Sequence, residues 1–146
     1  MRTLLTLACT ILTLGFVGCG GDGRPKPTAV EAVATFKGKP ATGALVVFHS
    51  TDPAREKVIG GKPFGKVKED GTIAITTYEQ GDGAPEGDYG VTVQWIEEAG
   101  PGKFSLSSEG GVGNDKLGGR YSDPRAPKIK FTVTKNGPNK LELKLE

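Results

Sequence analysis

The side chains able to do chemistry are few and scattered. His49 is the single histidine. One imidazole with no thiol near it cannot complete a zinc or facial-triad set, so it reads as a partly buried or edge residue. Ser105, Ser107 and Ser108 lie outside any nucleophile-elbow pattern and would have only His49 as a base. Gly60, Gly65 and Lys66 have P-loop spacing, but Val67 stands where a magnesium-binding hydroxyl is needed. Gly110-Gly111-Val112-Gly113 lacks the later spacing and the helix of a dinucleotide loop, and reads as flexible backbone. Asn114, Asp115 and Asp123 offer oxygen ligands, but their spacing matches no calcium loop, so they read as solvated turn residues. Glu97 with Glu98 or Glu109 can be nominated as paired carboxylates by type alone. The sequence therefore assembles no catalytic set, no metal site and no cofactor site.

Aromatic residues make the better case for binding. Tyr78, Phe104 and Tyr121 fall at strand ends or in a long loop, where exposed rings stack on sugars or insert into a partner surface. The competing reading places Tyr121 under the edge of the domain, with its hydroxyl bonded to backbone. The formal charge of +2 comes from dispersed Lys and Arg. That is not the basic stripe nucleic-acid binding needs, so nucleic acid is not an expected partner.

The amino terminus gives an address. Met1-Arg2-Thr3 is a short positive segment, and Leu4 to Val17 is an apolar run suited to a secretory signal and short for a membrane span. It ends at Phe16-Val17-Gly18-Cys19. This resembles the lipobox of bacterial lipoproteins, in which a small residue precedes a Cys that is acylated and then becomes the first residue. Phe16 stands where Leu is usual. The resemblance implies a signal peptide over 1–18, lipidation at Cys19 and a membrane contact through that lipid. Gly20, in place of the Asp that retains many such proteins in the inner membrane, implies an outer-membrane address facing the periplasm or the exterior. The alternative is an ordinary signal peptide with an incidental Cys. Residues 19–27, with Gly20-Gly21-Asp22-Gly23 followed by Pro25 and Pro27, read as a tether. Cys9 would be discarded with the signal, so the mature domain is left no thiol for a disulfide or metal.

The elements that must position any site are strands. Of 146 residues, 23 are Gly and 10 Pro, a turn-rich composition that favours short strands over a helical bundle. Residues 28–146 suffice for one core. Pro85-Glu86-Gly87-Asp88 is turn chemistry, after which Tyr89, Val91, Val93 and Trp95 alternate with polar residues. That period of two marks a strand with one buried face. Val30, Ala32, Ala34 and Phe36 define a first strand, and Gly43 to His49 a second, near the middle of a sheet and covered on both sides for part of its length. Thr51 to Pro63 reads as a loop. Phe64 to Lys68 and Thr72 to Thr77 flank a Glu69-Asp70-Gly71 hairpin, and Glu97 to Arg120 is a long Gly-rich loop. Phe131, Val133, Leu141, Leu143 and Leu145 mark two closing strands around Lys135-Asn136-Gly137-Pro138. The sum is an all-β fold, a single antiparallel sandwich of about seven strands.

The order of strand, Lys37-Gly38-Lys39-Pro40 turn, Gly43-Ala44-Leu45-Val46-Val47-Phe48 strand, acidic hairpin and Gly87-Asp88-Tyr89-Gly90-Val91-Thr92-Val93 strand resembles the carboxypeptidase-regulatory-like or transthyretin-like β-sandwich of secreted bacterial proteins. Asp115-Lys116-Leu117 and Arg120-Tyr121-Ser122-Asp123-Pro124 resemble the later part of small lipoproteins built from one such domain. The resemblance implies an Ig-like sandwich and no established activity. Transthyretin-like hydrolases and intradiol dioxygenases need several His residues, which this chain lacks. The expected function is that of a lipid-anchored envelope module that binds or supports, with an envelope protein or a glycan as possible partner. Two alternatives stand beside it. One is a carbohydrate-binding module using Tyr78, Phe104 or Tyr121; the other is an envelope hydrolase using Glu97, Glu98, Asp115 or Asp123.

Overall fold

In the computed structural model, residues 23–96 and 114–146 are described. The elements run β1 (Pro27–Thr28), β2 (Glu31–Phe36), β3 (Lys39–Pro40), β4 (Leu45–Ser50), α1 (Pro53–Ile59), β5 (Phe64–Lys66), β6 (Thr72–Ala74), β7 (Ala84–Pro85), β8 (Gly87–Gln94), β9 (Ile129–Val133) and β10 (Lys140–Leu145). Among the described residues seven strands span three residues or more, as the alternation predicts. They form an all-β sandwich. One sheet has the order β5-β4-β8-β9; in the other, β2 lies between β10 and β3 and also pairs β6.

Alternation dictates the core. Val46 and Phe48 of β4, Tyr89, Val91 and Val93 of β8 and Val133 of β9 turn inward, and Ala32 and Ala34 of β2 with Leu141, Leu143 and Leu145 of β10 join them in one buried cluster. Phe48 meets Tyr89 and Phe131 edge-on, with ring centroids 5.6 and 6.0 Å apart, the arrangement that ring quadrupoles favour. Each fully buried Val, Leu or Phe side chain of this cluster contributes roughly 1.5–3 kcal/mol. The outer face of β4 is less covered than its sequence suggests, since Leu45 keeps 38% of its surface exposed.

Three departures from the sequence reading have physical causes. Thr51 to Pro63 is not all loop, because it holds α1. Asp52 caps that helix by accepting from the Ala54 N–H at 2.9 Å, Pro53 stands in its first turn, and Gly60 ends it in the left-handed region at φ 74°. The last two strands do not form a hairpin. β9 pairs antiparallel with β8, whereas β10 crosses to the other sheet and pairs with β2 in parallel, so not every pairing in the sandwich is antiparallel. Buried Asn139 fixes this crossing. It accepts from the Thr134 N–H at 2.8 Å and donates to the carbonyls of Thr134 and Ala29 at 3.0 and 3.2 Å. Finally, Pro27, which the sequence reading places in a tether over 19–27, belongs to β1, which pairs antiparallel with β7.

The two sheets are joined at a corner by β5 and β6. Val67 bridges Ile73 and Phe64 bridges Thr76, while each strand otherwise pairs within its own sheet. Gly65 makes this approach possible, since a Cβ there would lie 2.5 Å from Ile73 Cγ2 and 2.7 Å from the Ala74 carbonyl.

Candidate functional site

Strand directions divide the candidate residues between the two ends of the sandwich. At one end lie the beginnings of β2, β8 and β10; at the other lie the beginning of β4 and the ends of β2, β8 and β10.

The first end is where Pro25–Thr28 joins the domain. The helix α1 brings Arg55 over the start of β8, against Gly87, whose φ is 147°. A Cβ on Gly87 would come within 3.0 Å of Arg55 Nε, so the glycine makes room for the guanidinium. Nε is buried and has no hydrogen-bond partner among the described residues. Arg55 borders a cleft of about 490 Å³ that Lys26, Thr28, Glu86, Lys135 and Asn136 also line. Beneath it, the buried Tyr89 hydroxyl donates to the Pro85 carbonyl at 2.7 Å. Burial pushes the Tyr89 phenol up to about 12, with the charge of Arg55 acting the other way.

Tyr78 belongs to this end. Its N–H donates to Asp82 Oδ2 at 2.9 Å, and the Arg24 guanidinium carbon lies 5.6 Å from its ring centroid. Asp82 organises the turn, also accepting from the N–H groups of Thr77 and Glu79 at 2.7 and 2.9 Å. Burial works to raise the Asp82 pKa, but these N–H donors outweigh it and hold the carboxyl below its ordinary 3.8. A second cleft, of about 450 Å³, runs between Tyr78, Glu79 and the incoming Arg24–Pro27.

The opposite end is built on Trp95. The Phe36 ring meets it edge-on at 5.6 Å, and Lys116 Nζ sits 4.8 Å from its centroid. A groove of about 650 Å³ runs past Trp95, Thr42, Lys66, Lys68 and Lys116, and a smaller one of about 310 Å³ passes Leu45, Gln94 and Ile96. Asp115 holds this end together. One carboxylate oxygen accepts from the N–H groups of Trp95 and Leu117, and the other from Gly119, all at 3.0 Å.

The candidates nominated from sequence are thus not brought together. Tyr78 lies at the first end. Tyr121 packs against the core beside β8, its backbone carbonyl accepting from the Val93 N–H at 2.9 Å. Asp115 spends its carboxylate on backbone donors, and Asp123 accepts from the Arg125 N–H at 2.9 Å; among the described residues no group of three His, Cys, Asp or Glu is placed to hold a metal. His49 Nε2 lies 2.8 Å from Thr92 Oγ1 on the outer face of β4 and β8. Burial, and then the charge of Lys62, lower its pKa, opposed by Glu56. Cys19, Glu97, Glu98, Phe104, Ser105, Ser107, Ser108 and Glu109 lie outside the described residues.

Arg55 and Trp95 escaped the sequence reading. Arg55 was hidden in a segment read as loop, although Asp52-Pro53 and Gly60 were available as helix start and stop signals. Trp95 was assigned wholly to the core because it closes an alternating run, but it also lines the far groove. The fold and these two ends define an all-β sandwich class. No family model, curated protein or solved structure matches the chain.

Proposed function

We propose that this chain is a lipid-anchored module of the bacterial cell envelope, a carboxypeptidase-regulatory-like sandwich with a binding or structural role and no catalysis of its own. Acylation at Cys19 supplies the anchor. The observation that supports this reading most is the position of β1. Pairing of Pro27 with Pro85 and of Thr28 with Ala84 fixes the incoming chain to one end of the sandwich. An anchor only a few residues upstream, at up to about 3.5 Å per residue, keeps that end near the bilayer. The Trp95 groove then faces away from the membrane, where an envelope protein or glycan can reach it. Mass spectrometry of the mature chain from envelopes tests the anchor. Diacylglyceryl-modified Cys19 as first residue is expected, and an unmodified terminus beyond Cys19 overturns the reading.

A second reading, a cell-surface carbohydrate-binding module, draws on Trp95 and Gln94 beside the same grooves. It requires Trp95→Ala to abolish retention on wall or surface polysaccharide. Unchanged retention removes that groove from the reading, and loss on changing Tyr78, Phe104 and Tyr121 instead would return the role to those aromatics.

A further inference from the structure

The end of the sandwich that receives the tether carries a feature which anchoring alone does not explain. Lys26, Arg55 and Lys135, on three separate segments, border one cleft of about 490 Å³ in which, among the described residues, the only carboxylate is that of the exposed Glu86. No ion pair among the described residues uses any of the three cations. Arg55 contributes more than charge, because its Nε is a buried donor with no acceptor among the described residues. A buried polar group in that state calls for a ligand or a structural reason. Gly87 leaves room for the guanidinium by lacking a Cβ that would come within 3.0 Å of Nε. A planar guanidinium flanked by two flexible ammonium groups and the Asn136 amide matches a tetrahedral phosphate, with the guanidinium supplying paired N–H donors and the lysines point charge.

We propose that the cleft between Lys26, Arg55 and Lys135 is a phosphate-binding site. On the lipid-anchor reading, from which the choice of source follows, the phosphate is that of an anionic phospholipid headgroup in the bilayer that carries the anchor. Basic residues near such a surface are attracted to its negative potential. The site would turn a loose tether into a defined orientation, cleft down and Trp95 groove outward. Free phosphate shares the chemistry and is the other source.

The test uses the full chain as isolated from envelopes, in neutral detergent and in nanodiscs. In detergent, inorganic phosphate is titrated and followed by its phosphorus resonance. This arm does not depend on how Cys19 is processed, so failure of the site and failure of the anchor are read separately. Saturable binding in the millimolar range is expected, weakened about tenfold in Arg55→Gln and in the double variant Lys26→Gln with Lys135→Gln, and unchanged in Lys144→Gln at an exposed position of β10. The double variant alters exposed side chains only, so it reports even if Arg55→Gln folds poorly. In nanodiscs, protection of Lys26 and Lys135 from amine labelling that rises on replacing phosphatidylcholine with phosphatidylglycerol supports the headgroup as source. Phosphate binding without that rise supports the site with free phosphate as its ligand. Absence of saturable phosphate binding together with no headgroup effect overturns the proposal, as does binding that both cleft variants leave unchanged.

Discussion

Tyr89 donates its hydroxyl proton to the carbonyl of Pro85, four residues earlier, at 2.7 Å. The side chain that opens the inward face of β8 therefore also closes the turn that feeds it, the arrangement known from Ig-like sandwiches as a tyrosine corner. Tyr89→Phe keeps the ring and removes the bond. A loss of about 1 kcal/mol is expected, read as a lower urea midpoint at pH 8.

The same phenol makes the fold sensitive to alkali. Its folded pKa of about 12 lies above the ordinary 10.0, so the fold favours the neutral form. The associated stability is complete below pH 10 and is lost as pH rises from 10 toward 12, by on the order of 3 kcal/mol. Urea midpoints measured between pH 9 and 12 should fall more steeply for the native chain than for Tyr89→Phe.

His49 gives the opposite leg. Burial, then Lys62, hold its folded pKa below the ordinary 6.5, so protonation is easier in the unfolded chain. Stability is complete above about pH 6.5 and declines as pH falls through that value toward the folded pKa. The carboxyls of Asp70, Asp82 and Asp123, also lowered, act only below about pH 4, because their stabilisation is present above the ordinary 3.8. The decline in stability between pH 7 and 5 should therefore vanish in His49→Gln; its persistence there would assign it to another group.

Asp115→Ala removes the acceptor for three backbone N–H groups at the Trp95 end. The expected cost is about 2–4 kcal/mol, visible as a drop in Tm. Calcium at millimolar concentration should leave the native Tm unchanged, since these carboxylate oxygens face donors. A calcium-dependent rise would restore the cation reading of Asn114, Asp115 and Asp123.

Gly65→Ala tests the corner between sheets. The added methyl would meet Ile73 Cγ2 at 2.5 Å and the Ala74 carbonyl at 2.7 Å, so β5 and β6 must separate. A destabilisation of about 1–3 kcal/mol is expected from the urea midpoint, with faster amide exchange at Phe64 and Thr76, whose N–H groups are bonded across this corner. A neutral outcome would mean that the corner relaxes freely.

How much was legible follows the range of the interactions involved. The alternation of Tyr89, Val91 and Val93 and the Pro85–Asp88 turn are local, and β8 appears where they place it. The Leu141, Leu143 and Leu145 stripe marked β10 but not its partner, since alternation specifies a face and leaves the neighbour open. The helix α1 spans seven residues and buries only Ile59, too short a stretch for an apolar period, so only its caps could reveal it. The cleft at Arg55 was not legible. Lys26, Arg55 and Lys135 are far apart in sequence, and the side chain's position depends on a glycine in a different element.

The parallel partnership of β2 with β10 sets a timetable for folding. Glu31 pairs with Lys140 and Phe36 with Leu145, so the first long strand is completed by a strand far along the sequence from it. Closing so large a loop is entropically slow, and such contacts form late. Until residues 140–145 arrive, β2 lacks its neighbour and the Leu141, Leu143 and Leu145 layer is missing from the core. Partial lengths of the chain therefore have no finished sandwich to lock into.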